Sequence, residues 1–334
     1  MRFESQWSPA MVRAVRQLTP AVREFEIVPS TGVSDYSSGS HINVGVVANG
    51  QPEIRSYSLV GQHPVDGAYR IAVNFQKDSR GGSRYVWGLA PGGRISITNP
   101  QNLFELTIGF PHYLLIAGGI GVTPLVGMAE RLANMDASFY MLYCGRSRAD
   151  MAYLDQLDQL LGNRLQLAIK DEGSRADLAK VFAPLPAKSE VYFCGPMRML
   201  EDARSIWSGL KRPAANFRFE TFGSSGQFAR EAFCVDVRDR GKTVRVPEDM
   251  TMLDALESAG VPIMSDCKRG ECGLCVVDVL ALGGQIDHRD VFLSQEEKRE
   301  GGKICVCVSR VVHGSVTIDS GFRGTGVASK LGAT

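Results

Sequence analysis

The chain has no run of eighteen or more apolar residues, which excludes a membrane-spanning helix. It has no charge excess either: 37 Lys and Arg stand against 36 Asp and Glu, so the overall balance gives no support to a nucleic-acid or other polyanion partner. The opening residues, M-R-F-E-S-Q-W-S-P, lack the apolar core of a secretory leader. No internal repeat and no low-complexity tract is evident. What remains is the expectation of a soluble cytoplasmic protein. Its 334 residues, 44% hydrophobic and 22% charged, suit two or three domains. Eight cysteines in such a chain point to metal or redox chemistry rather than to a disulfide framework.

Three of those cysteines lie in C-K-R-G-E-C-G-L-C, from Cys267 through Cys272 to Cys275. Spacings of four and then two residues let one tight loop aim three soft thiolates at one small object. With a distant fourth cysteine this is the arrangement that holds a plant-type [2Fe–2S] cluster. Zinc sites ordinarily draw on two C-x₂-C or H-x-H pairs, and no second pair of that kind is present. Gly270 and Gly273 sit where the backbone must turn and bring N–H groups toward the sulfurs. The fourth ligand is one of Cys305 and Cys307 in K-I-C-V-C-V-S-R. Strand alternation sends both to one face, so spacing alone does not choose between them.

Residues 1–108 read as β structure, with alternating segments at 12–15, 23–28, 42–48, 55–61, 69–76 and 94–98, and short strands so closely spaced suggest a barrel or sandwich. Two motifs lie in it. Arg55-Ser56-Tyr57-Ser58 falls on a strand, and Arg80-Gly81-Gly82-Ser83 leads into a short helical stretch. The glycine turn offers N–H groups and a hydroxyl to a phosphate, and Arg55 adds a charge-assisted bond. Tyr57 offers an aromatic face to a flat ring and Ser58 a hydroxyl for a ring nitrogen. Each string alone is short, and a Gly-Gly-Ser turn is more often a plain loop.

Residues 109–224 alternate strands with helices, which implies a parallel sheet with right-handed crossovers. Its first strand, 112–117, ends in Gly118-Gly119-Ile120-Gly121-Val122-Thr123-Pro124, and a later strand ends in Cys194-Gly195-Pro196. Both ends lie where such sheets bind nucleotides. Residues 225–232 read as a linker and 233–320 as a second, smaller run of strands around the cysteine loop. The Gly- and Ala-rich residues 321–334 read as a loose tail. Cys144 and Cys234 are expected to be packing residues.

Taken in this order, the motifs resemble the phthalate dioxygenase reductase and vanillate demethylase reductase family. The flavin barrel and nucleotide domain of the ferredoxin–NADP reductase superfamily are followed there by a plant-type ferredoxin. Asp287-His288-Arg289-Asp290 and the ending C-V-S-R carry the likeness in the last domain. The resemblance implies a multidomain fold: an antiparallel β-barrel for FMN, an α/β parallel-sheet domain for NADH, and a β-grasp [2Fe–2S] domain. It implies Cys307, immediately before V-S-R, as the fourth ligand, with Cys305 as packing. It places Arg55, Ser56, Tyr57, Ser58, Arg80, Gly81, Gly82 and Ser83 around FMN. Gly118, Gly119, Gly121, Thr123, Pro124, Arg146, Cys194, Gly195, Pro196 and Phe222 are placed around the nicotinamide nucleotide, with Ser58, Cys194 and Phe222 at the reacting centre.

The implied activity is electron transfer from NADH to a Rieske-type oxygenase by a monomer. NADH yields a hydride, an iron–sulfur cluster takes single electrons, and a flavin handles both. A diaphorase-like reductase for a cytochrome or quinone, or a redox sensor, would keep parts of the same motifs, but a sensor needs no hydride path. Arg146-Ser147-Arg148, near an adenine ribose, is either a 2′-phosphate reader or a solvated basic loop. Lys268 and Arg269, beside the ligands, are candidates for steering an acidic partner.

Overall fold

A computed structural model describes residues 6–48, 50–75, 81–222, 228, 230–268 and 270–321. The chain divides into two compact units, Met1–Phe222 and Gly223–Thr334. Arg80, Arg269, the linker residues 223–227 and the tail from 322 lie outside the described residues.

The first unit opens with alternation strong enough to build a sheet. Its elements are β1 (Trp7–Thr19), β2 (Val22–Pro29), β3 (Ser40–Ala48), β4 (Gln51–Ser58), β5 (Tyr69–Asn74), helix α1 (Gly82–Trp87), β6 (Arg94–Thr98) and the short β7 (Gln101–Asn102). The strand order is β4-β3-β6-β1-β2-β5, with β7 against β3, and every pair is antiparallel. An antiparallel bridge between Leu59 and Ile71, with Val60 N–H donating to Arg70 C=O at 2.9 Å, joins the two ends of that order and makes a barrel. Phe25, Ile27, Ile42, Val44, Leu59 and Ile71 fill it. Strand β4 starts earlier than its alternation suggests. The hairpin with β3 runs back to Ala48–Gln51, and Pro52 sits beside its turn, opposite Val47 on a strand that ends the sheet order.

The same unit continues with β8 (His112–Gly118), α2 (Thr123–Asn134), β9 (Phe139–Gly145), α3 (Leu154–Leu161), β10 (Leu165–Ile169), α4 (Leu178–Phe182), β11 (Ser189–Cys194), α5 (Met197–Gly209) and β12 (Phe217–Glu220). All five strands are parallel, in the order β10-β9-β8-β11-β12. Leu114, Leu115, Ile116 and Ala117 of the central β8 are fully buried, as a strand covered by helices on both faces must be. The 108/109 division does not separate two compact units. Buried hydrogen bonds cross it, including Tyr153 Oη–H to Glu24 Oε2 at 2.8 Å.

The second unit contains β13 (Phe233–Val237), β14 (Lys242–Val246), α6 (Met252–Ser258), β15 (Val276–Leu282), β16 (Gln285–Asp287), α7 (Gln295–Glu300), β17 (Lys303–Cys305), β18 (Arg310–Val312) and β19 (Ser315–Asp319). The mixed sheet runs β14-β13-β19-β15-β17, with β13 and β19 parallel, and β16 pairs with β18. Thr251 caps α6 through Asp254 N–H at 3.0 Å, and Met252, Leu253 and Leu256 enter the core. This is the β-grasp arrangement. One expectation fails here: Cys234 is exposed rather than packed. Its neighbours Phe233 and Val235 on β13 are buried, so alternation turns Cys234 to the uncovered face.

Candidate functional site

Three sets of side chains carry chemistry. In the barrel, Arg55 on β4 lies over Gly82 at the start of α1; a Cβ at Gly82 would sit 2.5 Å from Arg55 Nε. The two motifs of this segment therefore meet, and only glycine allows the approach. Gly81 turns with φ of 102°. Ser83 Oγ is buried with no hydrogen-bond partner among the described residues, as a hydroxyl awaiting a phosphate oxygen would be. Arg55 pairs with Glu53 and donates to Ile54 C=O at 2.8 Å. Tyr57 is half-buried, and burial pushes its phenol up to about 12. Ser56 stands apart: it is exposed and donates to Asn43 Oδ1 at 2.6 Å.

Ser58 is buried at the end of β4, and its hydroxyl donates to Glu220 Oε2 at 3.1 Å. Glu220 ends β12 and is itself buried, so a carboxylate of the nucleotide segment reaches a hydroxyl of the barrel. Thr221 is buried and Phe222 is 39% exposed, so the aromatic residue at the end of the unit is open to a ligand.

At the carboxyl ends of β8 and β11 the two glycine-bearing loops touch. A Cβ at Gly121 would lie 2.2 Å from the Cys194 carbonyl oxygen. Thr123 Oγ1 donates to Ile120 C=O at 3.1 Å, Pro124 opens α2, and Cys194 is fully buried beside Gly195 and Pro196. Gly118 and Gly121 thus pack against Cys194, Gly195 and Pro196 at the carboxyl ends of β8 and β11, with Gly119 between them, the position at which parallel sheets take nucleotides.

Beyond β9, Arg148 is held by Glu172 through two bonds at 2.7 and 3.3 Å, Ser147 donates to Asp150 at 2.7 Å, and Arg146 lies 3.9 Å from Asp171. The acids are a feature that the sequence reading missed. Asp171 and Glu172 carry no signal until folding sets them opposite Arg146 and Arg148, whereas Asp150 meets Ser147 only three positions along the chain. Glu220 was also missed as a site residue, although an acid closing the last strand of the parallel sheet was a usable signal.

In the second unit the sulfurs of Cys275, Cys305 and Cys307 all lie within 4.8 Å of one another and are buried. Cys272 N–H donates to Cys267 Sγ at 3.4 Å, the kind of backbone-to-sulfur bond that the loop glycines serve. Hydrogen bonds from Cys305 and then Cys307 push Cys275 down to about 3, and the contact with Cys275 pushes Cys305 up. Thiols crowded in this way suit thiolates drawn to a cationic centre, and soft iron fits them.

The expectation that Cys305 and Cys307 share a strand face is replaced. Strand β17 stops at Cys305, and the chain turns through Cys307, with Ser309 N–H donating to Cys305 C=O at 3.0 Å. Below the loop, Gly270 C=O accepts from Val291 N–H and Phe292 N–H at 3.0 and 3.2 Å. Buried Asp290 accepts from Leu293 N–H at 2.9 Å and Ser309 Oγ at 3.1 Å. Lys268 lies 3.6 Å from Glu257.

Residues 235–312 match the 2Fe-2S iron-sulfur cluster binding domain family, and residues 115–205 match the oxidoreductase NAD-binding domain family. The phenoxybenzoate dioxygenase subunit beta of Ectopseudomonas oleovorans is 36% identical over 86% of this chain and 89% of its own length. A solved phthalate dioxygenase reductase, described as a modular structure for electron transfer from pyridine nucleotides to [2Fe–2S], is 27% identical with a TM-score of 0.75. It is covered over 98% of its length, and 94% of this chain is matched. An intact type IV self-sufficient cytochrome P450 monooxygenase is 32% identical over 93% of this chain with a TM-score of 0.66, and this chain spans only 41% of its length.

Fold and donor sets together define an NAD(P)H-dependent flavoprotein oxidoreductase with a [2Fe–2S] cluster. The chain belongs to the family of phthalate dioxygenase reductase and vanillate O-demethylase oxidoreductase, the electron-transferring reductase subunits of two-component oxygenase systems. Among the described residues no helix is long and apolar enough to cross a membrane.

Proposed function

We propose that this chain is a cytoplasmic, monomeric reductase that takes a hydride from NADH and delivers single electrons to a Rieske-type oxygenase. FMN lies against Arg55, Tyr57, Ser58, Gly81, Gly82 and Ser83, with Arg80 beside them. The nicotinamide lies in the crevice of Gly118, Gly119, Gly121, Thr123, Pro124, Cys194, Gly195 and Pro196. The cluster is held by Cys267, Cys272, Cys275 and Cys307. This reading divides the chain into a flavin domain, 1–108, a nucleotide domain, 109–224, and a ferredoxin domain, 233–320. It leaves Ser56 outside the flavin contacts, because its hydroxyl is used by Asn43.

The observation that carries the reading is the buried Ser58–Glu220 bond. It brings the barrel motif to the carboxyl-end crevice of the parallel sheet, so flavin and nicotinamide sites share one seam. The flavin, when bound, accepts the hydride and passes electrons on singly. The protein's own work is placement: Arg55 and Ser83 hold a phosphate, Tyr57 flanks the ring, and Ser58 and Glu220 hold a proton position beside it. The likeness to 41% of a self-sufficient cytochrome P450 monooxygenase favours a second acceptor, a haem oxygenase.

The test is the purified chain with each acceptor. Steady NADH-dependent reduction of cytochrome c, turnover with a Rieske oxygenase, and release of FMN by mass are expected. Recovery of FAD, or transfer only to a haem acceptor, would overturn the proposal.

NADH rather than NADPH is the expected donor. A 2′-phosphate beside Arg146 would have to displace Asp171, and at Arg148 it would meet Glu172. A preference for NADH of about tenfold or more in kcat/KM, roughly 1.4 kcal/mol, is expected. Glu172→Gln should narrow it by freeing Arg148. A wild-type preference for NADPH would show that Arg146, Ser147 and Arg148 read the phosphate.

A further inference from the structure

We propose that Cys305 is a resolving thiol: when the cluster is lost, it closes a disulfide with Cys275 and holds the domain in a reversible off state. The proposal rests on the reading of Cys275 as a cluster ligand and of Cys305 as a fifth thiol outside the ligand set. Five cysteines occupy this region where a [2Fe–2S] cluster takes four. The fifth is in contact with a ligand, since Cys305 Sγ lies 3.3 Å from Cys275 Sγ. The backbones are also held side by side. Val276 pairs with Cys305 in the β15–β17 ladder, and Val306 N–H donates to Cys275 C=O at 3.2 Å. Cys275 lies one residue before the ladder partner of Cys305, so the two side chains meet diagonally, and their 3.3 Å sulfur contact is what brings them close to the approach a disulfide needs. Both thiols are buried in the same apolar cluster, so once together they have little room to part.

With iron bound, the Cys275 sulfur is engaged and Cys305 has no electrophile to attack. After loss of the cluster, a peroxide oxidises the Cys275 thiol to a sulfenic acid, and one water leaves. The Cys305 sulfur then attacks the Cys275 sulfur, an S–S bond forms, the S–O bond breaks, and the second water leaves. In sum, two thiols and one peroxide give one disulfide and two waters. The sulfurs give up two electrons, which reduce the O–O bond. The disulfide removes Cys275 from the donor set, so three ligands remain and a new cluster cannot form. It also diverts Cys275 from irreversible sulfinic acid, and a dithiol reverses it by exchange.

The test uses the full-length holoprotein treated with hydrogen peroxide and a chelator, then alkylated and digested for mass spectrometry. A Cys275–Cys305 linked peptide is expected as the main cross-link. Added iron and sulfide should restore the [2Fe–2S] EPR signal only when dithiothreitol is present. Cys305→Val should be isolated with its cluster, but after peroxide Cys275 should be found as sulfinic acid and dithiothreitol should no longer restore the signal. A link from Cys275 to Cys307, no link at Cys275, or dithiothreitol-dependent recovery in Cys305→Val would each overturn the proposal. Loss of the cluster from freshly isolated Cys305→Val would overturn the ligand assignment itself.

Discussion

Cys307→Ala is expected to abolish the [2Fe–2S] visible and EPR signals, whereas Cys305→Val leaves them in the freshly purified protein. Both cysteines are buried, and both have sulfurs within 4.8 Å of Cys275, so proximity to that ligand does not separate them. Their backbone settings do. Cys305 is the last residue of β17, paired with Val276 and packed in the core of the domain. Cys307 lies in the turn beyond it, past the last ladder pair of β17. A turn can aim a sulfur at the loop, whereas a strand residue is committed to its sheet. Alanine is the informative replacement because a serine oxygen can still bind iron. Transfer to cytochrome c should fall to background while reduction of ferricyanide by NADH persists, since the first unit is untouched. The second unit should also melt earlier, because ligand binding to the folded state is part of its stability. The reverse pattern, with the cluster lost in Cys305→Val and kept in Cys307→Ala, would exchange the two roles.

The second large effect is expected at the seam of the first unit. Ser58→Ala should slow flavin reduction by NADH by about a hundredfold, the range seen when a positioned proton donor or acceptor is removed. Flavin content, cluster content and the EPR signal should stay as in the wild type. The structural cost should be only about 1 kcal/mol, that of one hydrogen bond, which separates the kinetic effect from unfolding. Glu220→Gln keeps a group that can accept from Ser58 and should lose less. Glu220→Ala leaves the buried Ser58 hydroxyl without its partner, 3.1 Å away in the wild type, and should lose both rate and stability. Rapid-mixing measurement of the reduction step decides the matter. An unchanged rate in Ser58→Ala would leave the pair with a packing role.

Much of this protein was legible in the sequence wherever the chemistry is local. The Cys267–Cys275 loop is nine residues long, and its donors, turns and spacing are all set by neighbours in the chain. Alternation in β1–β6, the apolar run of β8 and the strand–helix alternation that follows likewise report burial directly, so a barrel or sandwich and a parallel sheet were expected from the residues, while the β-grasp was what the family resemblance implied. The glycine strings marked the crevice because a missing Cβ is a local property with a local use.

Partners brought together by tertiary structure were not legible. Glu220 meets Ser58 across 162 positions of chain, and the acids that neutralise Arg146 and Arg148 sit on a loop after β10. Cys234 was misread because alternation tells which residues share a face and not which face is covered. Cys305 and Cys307 could not be separated by period alone, since the end of β17 depends on where its pairing with β15 stops. Side-chain period and residue type are written along the chain. Pairing, coverage and charge neutralisation depend on distances between segments, which only packing fixes.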